Sequence, residues 1–230
     1  MISPRSPSGR WIFTPMKTRL TLVLALTAMS LLTGCVTGRR TLALNLPAAG
    51  APGTGHGDVF VGAITDNRVF MNQPNDPSIP SIDGDVKTMS AEQKAIMIGR
   101  QRNTYGHAMG DIGLAPGESV SKQCRLLLEQ GLKKRGFTIS ANSAAANSVS
   151  AVINQFWAWG TPGFWALSFD AQIECILTLK KDADSSKVTV RGKGHASGQV
   201  ASDENWQQAY LAAFQDFLTN LDIELAKAGF

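Results

Sequence analysis

From residue 169 onward, apolar and polar side chains alternate: Phe169, Ala171, Ile173, Cys175, Leu177 and Leu179 against Asp170, Gln172, Glu174, Ile176, Thr178 and Lys180. Successive side chains on a strand point to opposite faces, so this period of two predicts a half-buried antiparallel strand over 165–179. The pattern returns over 188–199, with Val188, Val190, Gly192, Gly194 and Ala196 on one side and Thr189, Arg191, Lys193, His195 and Ser197 on the other. The inward side chains there are small, which lets a helix come close. A further strand is predicted over 149–159. The turn Gly160-Thr161-Pro162-Gly163 joins it to the next strand, and the polar stretch 180–187 joins the second to the third.

Two segments change period. In 119–135, Val120, Cys124, Leu127, Leu128 and Gly131 fall on one helical face. Lys133, Lys134 and Arg135 suit the negative end of that helix, and Gly136 suits a left-handed stop with Phe137 behind it. In 203–228 the stripe is Trp206, Tyr210, Ala213, Phe214, Phe217, Leu221 and Leu225, with Ser202 as cap and Asp203 and Glu204 at the positive end. Shorter elements fill the rest. Val59, Val61 and Ile64 predict a first strand ended by Asp66-Asn67, Ser90 caps a short helix ending near Gly99, and residues 137–140 form a short strand. Residues 73–80, with three prolines, read as an exposed loop, and the glycine-rich 104–113 as irregular. The expected architecture is α+β. A single antiparallel-rich sheet of about five strands carries the two main helices on one face, in the order β-α-β-β-β-β-α, and its other face is polar.

Composition changes this picture only at the N-terminus. The formal charge of +4 and pI near 9.1 invite a nucleic-acid partner. Residues 16–35, however, read MKTRLTLVLALTAMSLLTGC: a short basic region, then an uncharged apolar run over 20–32 that is short for a membrane span. The run ends in Leu32-Thr33-Gly34-Cys35, which resembles the lipobox of bacterial lipoproteins. That resemblance implies lipid on the Cys35 thiol and cleavage that leaves Cys35 first in the mature chain. Residues 1–34 are then a signal peptide, with Met16 a candidate start. Removing them takes four of the 22 basic residues and none of the 18 acidic ones, so the net charge falls to near zero. No basic field is left to attract nucleic acid. Val36, where inner-membrane lipoproteins commonly carry Asp, points to the outer membrane and a periplasm-facing domain. Residues 35–57 read as the lipidated cysteine and a flexible tether, in which 41–47 suits a short strand; 58–230 read as the folded domain.

The segments FVGAITDNR (60–68), AIMIGRQRN (95–103) and LLLEQGLKKRGF (126–137) resemble the YajG-type family of outer-membrane lipoproteins over most of 58–225. The aromatic turn and the proline-rich loop depart from it. The family has no established enzymatic activity, so the resemblance implies a binding or scaffolding role.

Candidate chemistry is sparse. Cys124 and Cys175 lie on the apolar faces of a helix and a strand, so a disulfide and two buried thiols are both open; an oxidising periplasm permits the bridge. His56, His107 and His195 lack metal-ligand spacing, no phosphate loop or G-x-S-x-G elbow occurs, and no cofactor is expected. Asp66, Asn67 and Arg68 suit a turn with local pairing better than a ligand site. Phe156, Trp157, Trp159, Phe164 and Trp165 cluster about one turn. They suit either aromatic pairing within a hairpin or docking of a partner or membrane interface. The expected function is non-catalytic binding in the cell envelope, with the membrane and an envelope protein as partners. The alternatives are an accessory subunit of lipid or polysaccharide transport, and a periplasmic hydrolase.

Overall fold

The computed structural model describes residues 39–82 and 84–230. The expected signal peptide and the lipidation candidate Cys35 lie outside the described residues. The strands are β1 (Arg40–Leu42), β2 (Asp58–Asp66), β3 (Met97–Arg102), β4 (Ala108–Leu114), β5 (Thr138–Ser140), β6 (Asn147–Pro162), β7 (Leu167–Lys181) and β8 (Asp184–Gly198). The helices are α1 (Ala91–Ile96), α2 (Val120–Arg135) and α3 (Asp203–Lys227), with a single 3-10 turn at Val86–Thr88.

The frame is the long antiparallel meander of β6, β7 and β8, and its alternation is the one read from the sequence. The far edge of β6 is shared. Its first half pairs in parallel with β2, which pairs in parallel with β5. Its second half pairs in parallel with β3, which continues into antiparallel β4 and then β1. Among the described residues the sheet is therefore mixed and eight-stranded, with three α-helices. This overturns the expected sheet of about five strands with two helices in the order β-α-β-β-β-β-α. Two of the added strands, β3 and β4, had no apolar alternation to announce them. β3 carries Arg100 and Arg102, and β4 carries Asp111, all at most 4% exposed. Arg100 Nε sits 2.9 Å from Asp111 Oδ1, so paired charges occupy positions that an apolar pattern would have marked. Residues 40–42, within the stretch read as a tether, form β1, and Leu42 is 1% exposed.

α2 and α3 cover one face, as their apolar stripes require. Ser119 caps α2 by accepting from Lys122 N, and Gly136 at φ 106° ends it in the left-handed conformation that the basic last turn and glycine predicted. The side chains of β8 facing α3 are small for a measurable reason: a Cβ on Gly194 would collide with the Ala209 carbonyl and the Ala213 nitrogen of the helix.

The second face is not simply polar. A bulge between Ile153 and Gln155 shifts the alternation, so that Phe156 joins Ile153 in the helix-facing core, while Trp157 is fully buried on the opposite face. The proline-rich loop, read as exposed, lies over the second face. Pro74, Pro80, Ser81 and Ile82 are buried, and Phe70, Ile82, Met97 and Trp157 form a small apolar cluster beneath it. Trp157 Nε1 donates to the Pro77 carbonyl at 3.2 Å, and Gln155 Nε2 donates to that of Ser78 at 2.6 Å.

Candidate functional site

The polar trio at 66–68 resolves into structure. Arg68 is buried, and its guanidinium donates to Asp66 and to three backbone carbonyls. Asn67 is exposed, and its backbone N–H donates to the Ile153 carbonyl at 2.9 Å. No hydrogen-bonding capacity of Arg68 is left over for a ligand.

The open strand face holds two charge pairs in cross-strand register. Arg191 Nε donates to Glu174 Oε2 at 2.6 Å, and His195 Nδ1 lies 2.8 Å from Asp170 Oδ1. Partial burial raises the Glu174 pKa, but the hydrogen bonds from Arg191 and Asn154 outweigh it and hold the carboxyl below its ordinary value. Beside this pair, between the meander and the 67–80 segment, lies a groove of about 610 Å³. Val69, Met71 and Ile79 form one wall, and Gln172, Glu174 and Lys193 contribute to the other. Val69 and Met71 are 69% and 48% exposed, so the groove has an apolar lip and a charged floor. A second groove, of about 590 Å³, runs on the outer side of α2 and α3, where Leu46, Pro47, Leu126 and Leu218 meet.

The sulfurs of Cys124 and Cys175 are 3.5 Å apart, both thiols are free, and both side chains are fully buried. The hydrogen bond that the Cys175 thiol shares with Cys124, reinforced by burial, pushes it well above the ordinary thiol value. Such a thiol is a poor nucleophile.

The five aromatics separate. Phe156 stacks on Tyr210 at 5.4 Å between ring centres within the helix-facing core, and Trp157 packs edge-on to Phe70 at 6.0 Å under the loop. Trp159 is half-buried. Phe164 and Trp165 are 89% and 83% exposed and stack edge-to-face at 4.7 Å. The turn lies later than its Gly-Thr-Pro-Gly sequence implied. β6 runs on to Pro162, and Gly163 N–H donates to the Ala166 carbonyl at 2.8 Å, so Phe164 and Trp165 are the hairpin tip. Gly160 is small because Trp206 of α3 packs against it.

The histidines stay apart. His56 lies against Phe137, His107 sits in the β3–β4 turn, and His195 is on β8. Among the described residues no group of three or more His, Cys, Asp or Glu is placed to hold a metal ion. Sequence reasoning passed over Arg100, Asp111 and Tyr105. The only available signal was the spacing of Arg100 and Arg102 by two, between Gly99 and Asn103, which has no apolar period.

No protein-family model and no curated protein matches the chain. Among solved structures, the chain is similar to protein XCC0632 from Xanthomonas campestris, described under the family model DUF330. The identity is 12% and the TM-score 0.41, over 83% of this chain and 96% of that one. It is also similar to an uncharacterised protein at 10% identity and a TM-score of 0.38, over 82% and 98% of the two chains. A third is described as a candidate lipoprotein from Caulobacter crescentus, at 14% identity and a TM-score of 0.27, over 49% and 88%.

Proposed function

We propose that this chain is a bacterial lipoprotein, joined to lipid through Cys35 and held on the outer membrane facing the periplasm. Its folded domain binds an envelope component and catalyses no reaction. The observation that carries the reading is Leu32-Thr33-Gly34-Cys35 at the end of a charged-then-apolar leader. The YajG-type segments belong to the same reading. Several acyl chains, each CH₂ contributing ~0.8 kcal/mol, would hold the domain firmly at a leaflet.

The domain's polar groups support contact over turnover. Two of the carboxylates that a hydrolase would use are engaged with cations: Asp66 with Arg68 and Glu174 with Arg191. The groove walled by Val69, Met71 and Ile79 offers apolar area beside fixed charges, which suits a protein or envelope-polymer segment. The test is mass spectrometry of protein isolated from its native host, with cell fractionation. The expected result is a mature chain beginning at Cys35, carrying a diacylglyceryl group on Sγ, in the outer-membrane fraction. A chain with an unmodified Cys35 overturns the reading. A photo-crosslinker at Met71, in the groove, then identifies the partner.

A second reading, an accessory to envelope lipid or polysaccharide transport, is favoured by the groove outside α2 and α3. Its lining of Leu46, Pro47, Leu126 and Leu218 suits an apolar chain. Loss of transport on Leu218→Glu, at unchanged protein level, is its expected signature. Full transport in that variant would sink it.

A further inference from the structure

We propose that one end of the sheet is a membrane-contact surface. Phe164, Trp165, Tyr105 and Val200 enter the interface of the leaflet that holds the lipid, so the domain stands end-on. The proposal rests on the lipid-anchor reading above and names what that anchoring does to the domain.

Exposure comes first. Tyr105, Phe164, Trp165 and Val200 are 87%, 89%, 83% and 66% exposed. They come from three separate chain segments, yet topology places all three at one end. β6 runs toward its hairpin tip, and β3 is parallel to it, so the turn after Arg102 that carries Tyr105 lies at the same end. Leu167, at the start of β7, pairs with Gly198, at the end of β8, so Val200 follows at that end too.

The chain also enters the fold there. β1 is parallel to β4, which runs away from the Tyr105 turn, so Arg40 is the end of β1 nearer the exposed rings. Arg40 donates to the Ala201 carbonyl at 2.7 Å and pairs with Asp203 at 3.1 Å, which fixes this entry beside Val200. Through the register Arg40↔Ile112, Gly99↔Ile112 and Gly99↔Ala158, Arg40 lies level with Ala158 of β6. Cys35 is five residues before Arg40. At ~3.3–3.6 Å per residue the lipid-bearing sulfur is within about 18 Å of β1. From Ala158 the chain of β6 likewise runs five residues to Gly163 at the hairpin tip. Arg40 thus lies nearer the hairpin tip than the Asn147 end of β6, so a lipid at Cys35 joins the fold closer to this end.

The rings are held outward by bonded turns. Gly163 N–H bonds the Ala166 carbonyl, and Asn103 Oδ1 accepts from the backbone N–H of both Tyr105 and His107 at 2.9 Å. Exposed apolar area of this kind marks an interaction site. Tyr and Trp, with an apolar body and a polar tip, suit the membrane–water boundary. The three turns project as separate tips, which can enter between lipids.

The test uses the mature lipidated protein, reconstituted in phosphatidylethanolamine–phosphatidylglycerol vesicles containing a lipid with a nitroxide near the top of its acyl chain. Trp157 and Trp206 are fully buried and Trp159 half-buried, so the difference between wild type and Trp165→Phe isolates Trp165 emission. The expected result is a blue shift of that emission in unlabelled vesicles and loss of most of it with the nitroxide lipid. Unquenched Trp165 in protein that floats with the vesicles overturns the membrane surface and leaves the anchor reading intact. A blue shift only on addition of envelope protein likewise overturns it, in favour of a protein partner. Protein with an unmodified Cys35 that does not float overturns both readings.

Discussion

The guanidinium of Arg68 closes on the carboxylate of Asp66 two residues earlier, with Nε 2.9 Å from Oδ1 and Nη2 2.8 Å from Oδ2. The remaining N–H groups donate to the carbonyls of Lys94, Met97 and Phe156. One side chain thus ties the end of β2 to the α1–β3 junction and to β6, at the place where β2 gives way to β3 along β6.

Arg68→Ala leaves two buried carbonyls, a part-buried one and a carboxylate without their donor. Breaking a buried ion pair from one side costs about 3–5 kcal/mol, and we expect a loss of that order in urea unfolding. Arg68→Lys recovers only part of it, because an ammonium has three donors where the guanidinium has five. A loss below about 1 kcal/mol for Arg68→Ala would refute the clamp.

Trp157 and Trp165 separate core from surface. Trp157→Ala removes a fully buried ring and is expected to cost about 3–5 kcal/mol. Trp165→Ala, at the exposed tip, is expected to stay within about 0.5 kcal/mol of wild type. Equal melting temperatures for the two variants would show the assignment to be wrong.

Gly194 is the point of closest approach of α3 to β8. A methyl there meets helix backbone, which cannot turn aside as a flexible side chain would. Gly194→Ala is expected to cost at least the ~1–3 kcal/mol of an overpacked core and to lower the yield of soluble protein. Ser197→Ala, on the outward side of the same strand, serves as the control. Wild-type stability in Gly194→Ala would mean that the helix rides higher on the sheet.

Acid should weaken the Glu174–Arg191–Asn154 group. The folded pKa of Glu174 lies below its ordinary 4.5. The contribution is therefore complete above the unfolded value and is lost as pH falls through the folded one. We expect Glu174→Gln to lose less stability than wild type between about pH 5 and about pH 3. Because the pair is partly exposed, the difference is small and shrinks in salt. Parallel pH curves for the two proteins would count against it.

The cysteines give a kinetic prediction. In a Cys35→Ser variant, with Cys124 and Cys175 fully buried and the Cys175 thiol pushed up, any free thiol should react with a thiol reagent only as fast as the protein unfolds. Denaturing the protein without reductant then counts them: two free thiols, or none where the pair has closed during folding in an oxidising compartment. Rapid labelling of the folded protein would contradict the packing of α2 on β7.

Much of the fold was legible because its signals are local. The alternation of Phe169 through Leu179 and the stripe from Trp206 to Leu225 are each complete within one segment, so the meander and the two long helices could be read directly. The capping serines at 119 and 202 and the glycine at 136 act within a turn of themselves. The β3–β4 hairpin was illegible for the opposite reason. Arg100 is tolerated inside because Asp111, on the neighbouring strand, meets it there. The exposed aromatic site was half-legible: the cluster was plain, but not which rings faced water.

By itself the sequence determined the long antiparallel strands, the two main helices and the face on which those helices lie. Periodicity and caps depend on neighbours a few residues away, so these features survive without knowledge of the rest. Tertiary structure alone decided that paired charges build two further strands, that a proline-rich loop seals Trp157, and that Phe164 and Trp165 stand free where the chain enters the fold. Each of these depends on groups brought together from distant parts of the chain, and burial is a property of that assembly.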